Sequence, residues 1–202
     1  GDYLESLGPV DPLLDSLEAY GAQRQFPLVG RLSGAWLELL TCAIGGRRVF
    51  EFGSGFGYSA YFFARAVGEE GQAVGAERDA WELEAHRDLY EGHPLASRIQ
   101  IHHGDAEAVF QGEVGSWDVV FVDCDKAGYA RTLALCADRI RPGGLLLADN
   151  VLWGGKVARQ AEEEDASTRG LQDFNRLLAA DSRFSYRILP AGDGLGVALK
   201  LS

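Results

Sequence analysis

Residues 47–67 read RRVFEFGSGFGYSAYFFARAV, and the pattern of residues here indicates the class of fold. Its apolar start, residues 47–52, predicts a short strand, and the spacing of apolar residues from about Tyr58 to Val67 predicts a helix. The three glycines between them predict a tight turn. The stretch is therefore a strand, turn and helix unit, and in an open parallel sheet such a turn lies where ligands bind.

The same alternation continues downstream. Four more apolar runs predict strands, and the stretches after the first three of them have helical spacing. The strands are expected at 73–77, 99–103, 118–122 and 144–148, and the helices near 80–91, shortly after 103 and near 128–140. Strands that alternate with helices imply right-handed crossovers and a mostly parallel sheet with helices on both faces.

The end of the sequence breaks the alternation. FSYRIL, residues 184–189, and LGVALKL, residues 195–201, are separated only by a short turn that contains Pro190, Asp193 and two glycines. So short a link joins antiparallel neighbours. We therefore predict an α/β fold with a Rossmann-like, seven-stranded, mostly parallel sheet and a C-terminal antiparallel hairpin.

Two amphipathic stretches precede the first strand. Pro12–Tyr20 and Ser33–Ile44 predict helices, the second with Ser33 as its N-cap. The length suits one domain over 1–202, with N-terminal helices in 1–45 and the Rossmann-like core in 46–202. The charge run from Glu162 to Asp165 predicts a solvated loop.

Composition limits the partners. The formal net charge of -11 repels polyanions at long range, which argues against nucleic acid. The three cysteines, Cys42, Cys124 and Cys136, form no C-x-x-C pair, so we expect neither disulfides nor a zinc site, and a cytoplasmic location. No apolar run reaches the roughly 18 residues needed to cross a bilayer, so no membrane partner is expected.

The glycine-rich turn indicates which cofactor binds. A dinucleotide site requires G-x-G-x-x-G, but here the third glycine, Gly57, falls one position early and Tyr58 takes its place. A cofactor without phosphates, such as S-adenosylmethionine, has no such requirement. Glu77, which closes the second strand, can accept both ribose hydroxyls, although an exposed glutamate at a strand end is also common. Asp105 and Ala106 suit an adenine ring, or Asp105 is simply a helix N-cap.

Oxygen donors follow the fourth and fifth strands. Asp123 ends one strand, and Asp149 and Asn150 end the next, so the three gather at one sheet edge. Such donors favour Mg²⁺, with Mn²⁺ or Ca²⁺ as alternatives, whereas the competing interpretation is acids that cap the following helices. Lys126, one of only three lysines, lies three residues beyond Asp123, where an arginine could not act as a base because it does not lose its proton.

Several of these motifs resemble a known family. FEFGSGFGYSA, VGAERD, GDA, VFVDCDKAGY, RPGGLLLADNVLWGG and GDGLGVAL resemble, in order and spacing, the cation-dependent O-methyltransferases that include the catechol and caffeoyl-coenzyme A enzymes. The resemblance runs from about residue 26 to the end, and it implies methyl transfer to a small hydroxylated acceptor by a homodimer. It implies these roles: S-adenosylmethionine held by Gly53, Gly55, Ser59, Glu77, Asp105, Ala106 and Asp123; a metal held by Asp123, Asp149 and Asn150; and Lys126 as general base.

Weaker candidates surround this site. Trp153 and residues 154–156 form a candidate substrate wall, although ordinary packing explains an aromatic equally well. Cys124 departs from the family pattern and is expected to alter that wall. Asp193 is a candidate for contact near the substrate, but GDG is also good turn chemistry.

Alternative functions stay open at this point. Within the same family, some bacterial members modify hydroxylated uridine in transfer RNA, and a basic approach for it would come from Arg24, Arg31, Arg47 and Arg48. The fold alone also permits a nicotinamide-dependent oxidoreductase, which the early third glycine and the oxygen donors disfavour. A non-catalytic binding module would have no use for those donors and a lysine.

Overall fold

A computed structural model describes residues 10–159 and 165–202. The strands are β1 Arg48–Phe52, β2 Gln72–Glu77, β3 Ile99–His103, β4 Trp117–Val122, β5 Ile140–Ala148, β6 Phe184–Leu189 and β7 Leu195–Lys200. The α-helices are α1 Pro12–Arg24, α2 Gly30–Ala43, α3 Tyr58–Ala66, α4 Ala80–Leu89, α5 Ala106–Gly112, α6 Tyr129–Cys136 and α7 Ala166–Ala180. Short 3₁₀ turns cover Pro94–Arg98, Lys126–Gly128, Ala137–Arg139 and Trp153–Ala158.

The seven strands form one sheet in the order β3-β2-β1-β4-β5-β7-β6. The first five are parallel, and β7 lies antiparallel between β5 and β6. The predicted fold class, with its C-terminal antiparallel hairpin, is therefore confirmed. The strand order reverses between β1 and β4, and the crevice beyond their carboxyl ends is where such sheets bind ligands.

Helices cover both faces of the sheet. Phe50 and Val120 point to the face packed by α5, α6 and α7, and Val49 and Val119 point to the face packed by α2 and α3. All four side chains are fully buried. Burial of such a side chain contributes about 1.5–3 kcal/mol, so the central strands anchor the sheet edge that carries the site.

Helix α1 packs near the glycine-rich turn through a smaller core. Its leucines, including Leu17, pack in one cluster with Phe56 and Tyr61. The ring of Phe56 meets Tyr20 and Phe26 edge to face, with centroids 4.9 and 5.2 Å apart. These contacts hold the segment between α1 and α2 over the ends of the strands.

Several predicted boundaries are wrong. Ser33 is not the N-cap of α2, because the helix begins at Gly30, whose φ of 77° turns the chain early, and Ser33 lies buried inside it. The helix predicted near 128–140 is α6 with a 3₁₀ turn at each end. Helix α7 was not predicted, and its first turn is capped by Asp165, whose carboxylate accepts from the Thr168 N–H. Residues 162–164 of the charge run lie outside the described residues.

Among the described residues, no helix combines the length and apolar character that a membrane span requires.

Candidate active site

The predicted site residues line two adjoining pockets at the carboxyl ends of the strands. The larger pocket, about 380 Å³, is lined by Gly53, Gly55, Ser59, Asp123, Lys126, Asp149 and Asn150. The smaller pocket, about 170 Å³, is lined by Glu77, Asp105 and Ala106. Both pockets share Gly53 and Cys124. The structure thus brings every predicted site residue into one continuous region.

Gly53 is required by the close approach of β1 to β4. Its φ is 90°, a conformation that residues with a side chain rarely adopt. A Cβ there would collide with the carbonyl oxygen of Asp123. The absence of a side chain at this position therefore keeps a predicted metal ligand in place.

We expect Gly53→Ala to lower the free energy of unfolding by about 2–5 kcal/mol, since left-handed strain and overpacking add. Gly45→Ala is the matched control, because Gly45 also has a positive φ, 61°, but open space around its Cβ position. It should lose only about 1–2 kcal/mol. Urea denaturation of both variants measures the difference, and equal losses would show that the contact with Asp123 is unimportant.

A buried carboxyl lies beneath the glycine-rich turn. Glu51 is 2% exposed, and the Ser59 hydroxyl donates a hydrogen bond to it. Burial raises the pKa of Glu51 to about 8, and the charges of Asp123 and Glu77 act in the same direction. Glu51 belongs to the glycine-rich stretch, but no role was predicted for it, because the sequence does not show how deeply its side chain is buried.

Glu51→Gln is expected to change how stability depends on pH. The folded protein holds a proton on Glu51 up to about pH 8, whereas an unfolded chain releases it near its ordinary pKa of about 4.3. Stability therefore falls as pH rises through that window, and glutamine removes this component. The Tm of the variant should match that of the wild type near pH 5 and exceed it by at least about 3 °C near pH 9. A constant Tm difference across this range would contradict the assignment.

The carboxylates of the smaller pocket already have partners. Glu77 accepts hydrogen bonds from the backbone N–H groups of Gly55, at 3.0 Å, of Arg78, at 2.6 Å, and of Asp79, at 2.9 Å. Asp105 caps α5 by accepting from the Ala108 N–H at 3.0 Å, and it pairs with Arg78. The hydrogen bond from Arg78 lowers the pKa of Asp105. Asp105 is thus an N-cap, as the competing interpretation held, and it also lines the pocket.

Asp123, Asp149 and Asn150 all line the larger pocket. Asp149 is 4% exposed, and among the described residues its Oδ1 has no hydrogen-bond partner. Burial and then the charge of Asp123 raise the pKa of Asp149 to about 7. Asn150 has a φ of 58°, a strained conformation of the kind that clusters at functional sites. Two repelling carboxyls with an unpaired buried oxygen fit a divalent cation.

Lys126 lines the same pocket as the oxygen donors. Its Nζ is 2.7 Å from Asp123 Oδ1, and its side chain is 13% exposed. The Tyr129 hydroxyl lies 3.0 Å from the carbonyl oxygens of both Val122 and Asp149, so it ties together the ends of β4 and β5. The spacing of the two aspartates and the lysine is therefore set by buried structure.

The pocket wall is mostly apolar. Phe26, Leu28, Val29 and Trp153 line it. The first three were not singled out from the sequence, where they form a short apolar link between helices. Cys124 lines it as predicted. Asp193 Oδ1 accepts from the Gly154 N–H at 2.7 Å, which fastens the segment after β5 to the turn between β6 and β7. Asp193 is thus a support for the wall.

The arginines of the RNA alternative face acids or aromatic rings. Arg31 pairs with Asp15 and Glu18 at 2.5 and 2.7 Å. Arg47 and Arg48 pair with glutamates at 3.1 and 3.2 Å, and Arg24 lies over the rings of Tyr20 and Trp81. The acidic partners of Arg31, Arg47 and Arg48 offset part of the positive charge that an RNA backbone would need.

Comparison with known proteins gives a family and close structural neighbours. A family model described as O-methyltransferase matches residues 10–201. Caffeoyl-CoA O-methyltransferase 1 of Nicotiana tabacum is 31% identical over 180 residues, covering 84% of this chain and 75% of the relative. Catechol O-methyltransferase domain-containing protein 1 of Mus musculus is 29% identical over 160 residues, 77% of this chain, which spans 61% of that protein's length.

Solved structures agree over nearly the whole chain. A putative O-methyltransferase from Klebsiella pneumoniae superposes with a TM-score of 0.90 and 27% identity, covering 100% of this chain and 96% of the other. The O-methyltransferase from Bacillus cereus in complex with SAH superposes with a TM-score of 0.89 and 26% identity, covering 98% of this chain and 96% of the other. The O-methyltransferase TomG from Streptomyces achromogenes in complex with SAM superposes with a TM-score of 0.89 and 25% identity, covering 99% of this chain and 95% of the other.

Proposed function

This chain belongs to the O-methyltransferase family, and from that premise we propose that it methylates a small acceptor that carries two neighbouring hydroxyls. The methyl donor is S-adenosylmethionine, and a divalent cation bound by Asp123, Asp149 and Asn150 assists. The observation that supports this most is the unpaired, buried oxygen of Asp149, a carboxyl that lines the larger pocket together with Asp123 and whose pKa the charge of Asp123 raises.

The two pockets suit the two parts of the donor. Glu77, Asp105 and Ala106 line the smaller pocket, and we assign them to the adenosine part. Gly53, which both pockets share, lies at the junction, and the larger pocket also presents Gly55, Ser59 and Asp123 to the amino acid part of the donor. Methyl transfer therefore belongs in the larger pocket, beside the oxygen donors.

The chain's own groups would position the acceptor and take its proton. Lys126 Nζ lies 2.7 Å from Asp123 Oδ1, so it is next to a carboxylate that would hold the cation. With the cation on Asp123, Lys126 would receive the acceptor's proton in its uncharged amine form, which has a lone pair, and would become the ammonium. When bound, such a cation would lower the pKa of an acceptor hydroxyl, as bound metals do for water. The apolar wall of Phe26, Leu28 and Trp153 favours a flat aromatic acceptor and excludes water.

A methyl-transfer screen tests this proposal. We expect transfer to catechol or to a caffeoyl ester in the presence of Mg²⁺, and much slower transfer to the matched compound with a single hydroxyl. The screen also includes a transfer RNA with 5-hydroxyuridine as acceptor. A mobility-shift experiment at several salt concentrations measures whether the protein binds that RNA. Equal rates for one and two hydroxyls, or transfer to the RNA alone, would contradict the proposed acceptor class.

Three further expectations stay predictions. The resemblance implies a homodimer, which light scattering coupled to size-exclusion chromatography measures. The cytoplasmic location and the single domain over 1–202 are inferred from the sequence. Partial proteolysis tests whether the chain forms a single domain.

A further inference from the structure

Tyr58 stands where a dinucleotide site has its third glycine. It is the first residue of α3 and follows the glycine-rich turn directly. Its side chain is buried, and it lines the larger pocket together with Ser59 of the same helix. The side chain of Tyr58 therefore belongs both to the helix that begins at the turn and to the pocket in which methyl transfer would occur.

Glu18 on α1 is the point at which three helices are joined by hydrogen bonds. The Tyr58 hydroxyl, on α3, donates to Glu18 Oε1 at 2.9 Å. Arg31, in the first turn of α2, binds the same carboxylate, with its Nε 2.8 Å from Oε1 and its Nη2 2.7 Å from Oε2. Glu18 itself lines neither of the two pockets, so any effect it has on the pocket passes through Tyr58 and Arg31.

The contact between Glu18 and Arg31 differs from an ordinary surface ion pair. An exposed ion pair contributes little, because solvent screens it and two long side chains must be ordered. Here two nitrogens of the guanidinium bind both carboxylate oxygens, and the side chains of Arg31 and Glu18 are only 25% and 31% exposed. Such a two-point contact fixes orientation as well as distance. Asp15 binds the same guanidinium at 2.5 Å, so the start of α2 is held firmly against α1.

The segment between α1 and α2 carries the apolar wall of the larger pocket. Residues 26–29 line that pocket, and along the chain they lie between Glu18 and Arg31. Apolar packing also holds this segment, but such packing is non-directional, so it sets the position of the wall less exactly than hydrogen bonds do. The bond from Tyr58 to Glu18 joins this clamped segment to the helix that begins at the glycine-rich turn. The distance between the wall and the turn therefore depends on the Tyr58 hydroxyl.

We propose that Tyr58 is a positioning residue, whose hydrogen bond to Glu18 holds the apolar wall at the distance from the glycine-rich turn that methyl transfer requires. Transfer needs the acceptor oxygen, the methyl carbon and the sulfur in line, and a misplacement of about 1 Å can cost about 10² in rate. Tyr58 takes no part in proton transfer, since its hydroxyl donates to Glu18. This inference rests on the proposed function, because it takes the larger pocket to be the place where acceptor and donor meet.

Tyr58→Phe tests this role, because it removes the hydroxyl and keeps the ring in the pocket. We expect kcat/KM for the acceptor to fall about tenfold or more, the usual cost of losing a hydrogen bond to a charged group. The Kd for S-adenosylhomocysteine, measured by calorimetry, should rise far less, because Tyr58 does not line the smaller pocket. Hydrogen exchange gives a readout that needs no turnover. The Phe26 N–H donates to the Gly21 carbonyl at 2.9 Å, and it should exchange faster in the variant.

Tyr61→Phe is the matched control. Tyr61 also lies on α3, and its hydroxyl also donates to a carboxylate, Asp11 Oδ2, at 2.7 Å. Asp11 is the N-cap of α1, at the end of that helix away from the apolar wall, and Tyr61 lines neither pocket. The control should therefore lose a similar amount of thermal stability but keep the wild-type kcat/KM and the wild-type exchange rate of the Phe26 N–H. Equal effects of the two variants would show that Tyr58 only stabilises the fold, and would overturn the inference.

Glu18→Ala tests the same contact from its other side, and it carries the test if Tyr58→Phe does not fold. It should lower kcat/KM at least as much, because it also releases Arg31. Adding Tyr58→Phe to it should then have little further effect, since the two changes remove one shared bond. Effects that multiply in the double variant, or transfer by Tyr58→Phe at the wild-type rate, would overturn the inference and leave the proposed function intact. Wild-type protein that methylates none of the hydroxylated acceptors would overturn the proposed function and this inference with it.

Discussion

Exhaustive removal of divalent cations is expected to abolish methyl transfer, and Mg²⁺ or Mn²⁺ should restore it. Without a cation, Asp149 keeps a buried oxygen unpaired and repels Asp123, so the acceptor lacks the positive charge that the cation would supply. Loss of one such electrostatic contribution typically costs about 10²–10³ in rate. Transfer of a radiolabelled methyl group, measured after dialysis against a chelator, gives the size of the loss.

Asp149→Asn provides a matched variant for this experiment. Asparagine has nearly the same shape but lacks the charge, so rescue by Mg²⁺ should require a much higher concentration. The pKa of Asp149 is raised to about 7, so cation-free wild type loses stability as pH rises from about 4 to about 7. The variant should avoid that loss and be at least as stable at neutral pH. Full activity of chelated wild type would reject the role of the cation.

Lys126→Ala is expected to lower the transfer rate by about 10²–10⁴, the usual contribution of a general base. Binding of S-adenosylmethionine should weaken far less than the rate falls, because Lys126 does not line the smaller pocket, which we assign to the adenosine part of the donor. Single-turnover rates together with calorimetric binding separate the two effects.

Lys126→Arg is the informative comparison. Arginine can keep the ion pair with Asp123, but it does not give up its proton, so it should not restore the rate. A rate near that of the wild type in Lys126→Ala would remove the lysine from the mechanism. Rescue by arginine would show that only positive charge is needed at this position.

The sequence predicted the parts of the site that depend on the ends of strands. Asp123, Asp149 and Asn150 follow apolar runs, and parallel strands necessarily bring their carboxyl ends to one edge. Lys126 is three residues from Asp123, so their contact depends on local geometry alone. The C-terminal hairpin could also be predicted from the sequence, since a short link permits only antiparallel strands.

Features that depend on tertiary packing could not be predicted from the sequence. The burial of Glu82 depends on how α4 lies against the turn at Gly55, which is distant in sequence. Ser33 carries a typical N-cap side chain, but the conformation of Gly30 starts the helix earlier. The apolar wall at Phe26 is set by the contact of α1 with Phe56, which no local pattern reveals.

The position of a bound cation decides whether Asp123, Asp149 and Asn150 form the metal site. An anomalous difference map from crystals grown with Mn²⁺ should show a peak at bonding distance from side-chain oxygens of Asp123, Asp149 and Asn150. A map without a peak there, or with the ion held instead by the carboxyls of Glu77, Asp79 and Glu82, would contradict this metal site.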